Sequence, residues 1–92
     1  MTTYEFKFKD GRLFTGYVDK NGNEIHDGDR VEASDAWLEI KAEKGSVQYI
    51  PDRALFAVYF DTPDLTGKSV GENGENWNWE GFGDLDEIAL LT

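Results

Sequence analysis

The chain has 92 residues, of which 39% are hydrophobic and 14% aromatic, with no cysteine and 19 acidic side chains against 9 basic ones, a formal net charge of −10. A chain of this size holds one core, because it buries only about 60–65% of the surface its unfolded form exposes, so residues 1–92 are read as a single domain. The apolar content is sufficient for folding; the lack of cysteine excludes disulfides and thiolate metal sites, and the charge disfavours direct binding to DNA or to an anionic membrane.

In chain order, Tyr4, Phe6 and Phe8 alternate with Glu5, Lys7 and Lys9, which predicts a strand with an aromatic face. Asp10-Gly11 predicts a tight turn and residues 13–18 a second strand, making a hairpin of the first 18 residues. Asn21-Gly22 predicts a type I′ turn, since this pair tolerates two successive positive φ angles. Gly28, central in residues 26–30, predicts a bend, and Asp35 is placed to cap a short turn. Residues 37–42 alternate with Leu38, Ile40 and Ala42 on one face, and Lys44-Gly45 leads into residues 46–50, which predicts a second hairpin turning at that glycine.

After Pro51-Asp52-Arg53, the apolar run 54–60 reads as a central strand. Residues 61–84 contain Pro63 and five glycines and read as a long loop, of a length that is usually functional or mobile. Residues 84–92 are apolar enough to return to the core as a strand or a short helix. No internal repeat is present. Short strands joined by Gly and Asn turns give a mostly β class, with α+β left open by the tail, built as a small antiparallel barrel or a curled sheet.

The stretch Thr15-Gly16-Tyr17-Val18-Asp19-Lys20-Asn21-Gly22-Asn23-Glu24-Ile25-His26-Asp27-Gly28-Asp29-Arg30-Val31 resembles the opening pattern of YopX-like proteins, a family of small phage and prophage proteins. Asp19-Lys20-Asn21-Gly22, Glu24-Ile25, Gly28-Asp29 and Val31 carry the resemblance; Gly45-Ser46-Val47, Leu55-Phe56-Ala57-Val58 and Leu85-Asp86-Glu87-Ile88 are similar more loosely. Residues 61–83 depart from the family pattern, as do Tyr17 and Val18. The resemblance implies a mobile-element origin and an SH3-like β topology, and it brings no catalytic residues. By size and charge the chain is also similar to DNA-mimic inhibitors and anti-CRISPR proteins of phages.

Chemistry-bearing motifs are few. Asp19-x-Asn21-x-Asn23 starts like a calcium loop, but Glu24 stands where glycine is needed and Arg30 where a bidentate glutamate belongs. His26 is the single histidine, so a transition-metal site lacks its other ligands, and Asp27 and Asp29 beside it have no nucleophile motif to serve. A solvated turn histidine is the reading that follows. Neither a phosphate-binding loop nor a dinucleotide fingerprint occurs. The expectation is therefore a non-enzyme without metal or cofactor.

Charge is unevenly spread. Residues 61–92 hold Asp61, Asp64, Glu72, Glu75, Glu80, Asp84, Asp86 and Glu87 against Lys68 alone, a balance of −7, while residues 1–60 carry −3. Within this segment lie Trp77 and Trp79. Two readings stand: the carboxylates steer a basic partner while Trp77 and Trp79 anchor it, or the loop is merely solvated and the tryptophans return to the core as a strand. The expected partner is a basic protein surface, in particular a Cas or other nucleic-acid-binding complex, with inhibition of that complex as the function. The alternative is a YopX-like accessory or structural module whose charge serves solubility. No apolar run long enough to span a membrane occurs, and residues 1–7 lack a basic region leading into an apolar stretch, so the expected location is the cytoplasm, that of the host cell if phage-encoded.

Overall fold

A computed structural model describes residues 8–9, 12–63, 65–66 and 78–91. Among the described residues eight strands are formed: β1 (Phe8–Lys9), β2 (Arg12–Val18), β3 (Glu24–His26), β4 (Arg30–Asp35), β5 (Ile40–Ile50), β6 (Leu55–Phe60), β7 (Trp79–Gly81) and β8 (Glu87–Leu90). All pairings are antiparallel, in a small sheet ordered β1-β2-β3 and a five-stranded sheet ordered β7-β6-β5-β4-β8. The chain is thus mostly β, and among the described residues there is no α-helix and no closed barrel. Nor is any helix long and apolar enough to cross a membrane.

The chain joins the edge strands β7 and β8 from Gly81 to Glu87 through the 3-10 turn Phe82–Asp84. Phe82 enters the core with Ile25, Val31, Ala33, Ile40, Val47, Val58 and Phe60, so one apolar interior is shared by both sheets. Burial alternates along β4, where Val31, Ala33 and Asp35 point inward, as one face of a pleated strand requires.

Several expectations are met. Residues 55–60 form an interior strand, with Ala54 left outside in the left-handed region, and the tail chooses a strand, β8, by pairing with β4 from Val31↔Leu90 to Ser34↔Glu87. Gly28 takes φ +87° in a turn closed by the Asp29 amide donating to the His26 carbonyl at 3.1 Å. Pairing of β1 with β2 gives the first hairpin; its predicted turn at Asp10-Gly11, with Tyr4 and Phe6, lies outside the described residues.

Two turns differ from expectation. Gly45 does not turn the chain: β5 runs unbroken for 11 residues, pairing with β4 along its first half and β6 along its second. A Cβ on Gly45 would lie 2.3 Å from the Tyr59 carbonyl oxygen and 2.6 Å from Val58 Cγ1, so this glycine permits close strand approach. The hairpin turns fall instead at the 3-10 turns Ala36–Leu38 and Pro51–Arg53, each ended by a left-handed residue, Glu39 (φ 58°) and Ala54 (φ 53°). At Asn21-Gly22 only the glycine has positive φ, +84°. The Gly22 amide donates to the Asp19 carbonyl at 3.0 Å and Asp19 N to the Asn23 carbonyl at 2.8 Å, giving a turn with a left-handed glycine behind it rather than type I′.

Residues 15–31 join the two sheets. The Asp19 carboxylate is buried and accepts from the amides of Asn21 (3.0 Å), Asn23 (2.8 Å) and Leu90 (3.0 Å). These donors hold its pKa below the ordinary 3.8, with the Leu90 amide the largest cause. Lys20 N also donates to the Ile88 carbonyl at 3.0 Å, so this turn covers the outer edge of β8. Asp29 plays a similar part, accepting from the His26 amide at 2.7 Å and pairing with Arg12.

Candidate functional site

The descent into residues 61–84 is fastened by one side chain. Asn78 is 4% exposed; its Nδ2 donates to the carbonyls of Phe60 (3.2 Å) and Thr62 (2.7 Å), and its Oδ1 accepts from the amides of Leu65 (3.0 Å) and Thr66 (3.4 Å). Both N–H donors and both lone pairs of Oδ1 are engaged, so the side chain fixes where the segment leaves β6 and where it returns.

The sequence-predicted binding residues fall into separate places. Asp64, Glu72, Glu75 and Trp77 lie outside the described residues. Asp61 is exposed and forms a forked pair with Arg30, whose guanidinium lowers the carboxyl pKa while its own is raised. Trp79 is half-buried on β7, and Glu80 beside it is 8% exposed, which removes its carboxylate from any solvent-facing patch. Within the expected loop 61–84, residues 79–81 form strand β7 instead, and Phe82, in the 3-10 turn that follows, packs edge-on against Tyr17 at 4.8 Å between ring centroids. Asp84, Asp86 and Glu87 are exposed and share one region, the approach to β8.

That region holds a residue the sequence reading placed on a strand. Trp37 is 91% exposed, far more than any other large apolar side chain described. It sits in the 3-10 turn between β4 and β5, which two carboxylates immobilise: Asp35 Oδ1 accepts from Trp37 N at 3.0 Å, and Asp86 Oδ2 accepts from Ala36 N at 2.6 Å. Glu39, exposed, ends the same turn. The indole is therefore presented to solvent on a rigid base, with acidic groups from two chain segments around it. The signal was available in the order Asp35-Ala36-Trp37: a capping aspartate two residues ahead places the tryptophan within the turn rather than on the following strand.

Asp86 also borders a groove of about 270 Å³ between the sheets, lined on one side by Tyr17, Val18, Asp19 and Lys20 and on the other by Phe82, Leu85, Asp86, Glu87 and Ile88. Tyr17 and Val18 are 48% and 55% exposed on β2. Trp37 and this groove are thus adjoining features that meet at Asp86.

His26 is not a solvated turn residue. It is 3% exposed on β3, its ring lies 5.5 Å from that of Phe14, and Nε2 is 3.9 Å from Glu24 Oε1. Asp29 spends both carboxylate oxygens on the His26 amide and Arg12, so it does not orient the imidazole as an acid/base partner. Among the described residues no three His, Asp or Glu side chains converge so as to hold a metal ion.

Searches against protein-family models, curated proteins and solved structures found no match to this chain. The residues behind the YopX-like resemblance are structural here: Asp19 and Asp29 tie turns, Gly22 and Gly28 take positive φ, and Ile25 and Val31 are wholly buried.

Proposed function

We propose that this protein is a non-enzymatic, phage-type inhibitor that binds a basic, nucleic-acid-handling complex of a host cell through an acidic and aromatic surface. The favoured instance is an anti-CRISPR protein that occupies a Cas effector complex where nucleic acid is recognised. One observation carries the reading: Trp37 stands exposed on a turn fixed by Asp35 and Asp86, with Glu39 adjoining. Solvating so large an apolar surface is unfavourable, and holding it rigid lowers the ordering entropy lost on association, as suits a binding anchor. The net charge of −10 supplies attraction to a basic partner and repels free nucleic acid. An SH3-like, curled arrangement of the sheet belongs to the same reading: the all-antiparallel pairing and the core shared by both sheets suit it.

The test is biolayer interferometry of immobilised wild-type and Trp37→Ala protein against purified effector complexes with basic nucleic-acid channels, at about 0.1 and 0.5 M salt. Binding that weakens at the higher salt and is lost in Trp37→Ala supports the proposal. Salt-insensitive binding, or binding indifferent to Trp37, contradicts it, and stable self-association without any such binding points to a structural module.

A further inference from the structure

Resting on that reading, we infer that the groove beside Trp37 receives an extended cationic segment of the partner, one apolar side chain entering between the sheets while flanking Arg or Lys residues meet the carboxylates. The groove floor is apolar, built from Tyr17, Val18, Phe82, Leu85 and Ile88. Its exposed carboxylates are Asp86 and Glu87, with the ammonium of Lys20 beside them, while the Asp19 carboxylate lies buried behind, taken up by the amides it accepts from.

Lys20 Nζ stands 3.8 Å from Glu87 Oε2 and offsets that carboxylate, which leaves the Asp86 side of the groove negative. The amides around Asp19 favour its charged form, and the Ala36 amide, donating to Asp86 Oδ2 at 2.6 Å, fixes where the Asp86 carboxylate stands at the groove. A cation following the apolar residue out of the groove passes Asp86 and arrives at the turn carrying Trp37, whose indole face attracts it. An acidic segment would meet repulsion at Asp86 and Glu87. A neutral apolar ligand would leave these charges partly desolvated without compensation.

The groove is also firm. Tyr17 packs on Phe82, and the amides around Asp19 and Ile88 are hydrogen-bonded across its base, so little reorganisation opposes entry.

The experiment is an NMR titration of the full-length 15N-labelled protein with an amidated hexapeptide alternating arginine and leucine, beside its glutamate–leucine counterpart. The expected result is saturable shifts at the amides of residues 17–20 and 85–88 and at the Trp37 indole, with the basic peptide only. Val18→Lys, at an exposed position, and Glu87→Lys each weaken binding by about tenfold or more, while Tyr49→Ala, outside the groove, leaves it unchanged. An intact amide spectrum of each variant certifies its fold. No saturable binding, equal binding of the acidic peptide, shifts mapping elsewhere, or indifference to both lysine substitutions overturns the inference. Failure here with Trp37-dependent effector binding intact removes the groove and keeps the inhibitor; the reverse outcome keeps the groove and removes the inhibitor.

Discussion

Asn78→Asp changes one amide nitrogen to oxygen without changing shape, at a site that is 4% exposed. The two bonds accepted by Oδ1 from Leu65 and Thr66 survive, but the carbonyls of Phe60 and Thr62, now at 3.2 and 2.7 Å from the donor, face a carboxylate oxygen instead. Leaving a buried polar group without its partner costs about 1–3 kcal/mol, so two such losses amount to about 2–6 kcal/mol before any charge repulsion. For a domain of this size the total stability is about 5–14 kcal/mol, and each kcal/mol lost lowers Tm by about 4–8 °C. Urea unfolding followed by tryptophan fluorescence should therefore show a midpoint well below wild type at neutral pH. The gap narrows in acid, where a protonated carboxyl recovers one donor. A variant within about 0.5 kcal/mol of wild type would refute the claim that Asn78 pins both ends of the segment.

Three further outcomes follow from the same geometry. Gly45→Ala forces a methyl against the Tyr59 carbonyl and Val58, and should destabilise by about 1–3 kcal/mol or more in the same unfolding assay; a neutral effect would mean that β5 and β6 do not approach so closely. Glu39→Gly relieves a left-handed glutamate and should stabilise by about 0.5–1 kcal/mol while weakening partner binding, a trade that thermal melts and binding measured side by side would expose. Asp19 has its folded-state pKa lowered, so its contribution is complete above the ordinary 3.8 and is lost as pH falls through the folded-state value. Melts from pH 5 down to pH 2 should show Asp19→Asn less stable at the upper end and converging with wild type at the lower; parallel profiles would contradict the assignment.

How far the sequence spoke depended on whether local chemistry or distant packing decided each element. The run 55–60 and the bend at Gly28 were legible because apolar continuity and a glycine in a tight bend are local signals. Gly45 misled because a turn glycine and a close-approach glycine look alike in one dimension; Tyr59 and Val58, which distinguish them, lie more than ten residues away. The same holds for His26, whose burial depends on Phe14 and on a shared interior that no local pattern displays. Of the acidic segment, Asp84, Asp86 and Glu87 came together as a surface, while Asp61 is engaged with Arg30 and Glu80 points inward, since alternation along β7 and pairing across the sheet sort carboxylates that a charge count treats as equal. Trp37 was hidden because alternation starts the following strand at residue 37, three residues before Ile40, where the strand begins. Its exposure results from Asp86, 50 residues away in sequence from Ala36, completing the cap.

The central claim is that a Trp37-anchored acidic face excludes nucleic acid from a basic partner. Its most direct measurement is fluorescence anisotropy of labelled target DNA on a Cas effector ribonucleoprotein, titrated with wild type and with Trp37→Ala. The account predicts that wild type releases the DNA and that the variant requires about tenfold or more protein to do so, with its unfolding curve unchanged. DNA retained at saturating wild-type protein across a panel of effectors, or released equally by both proteins, would contradict it.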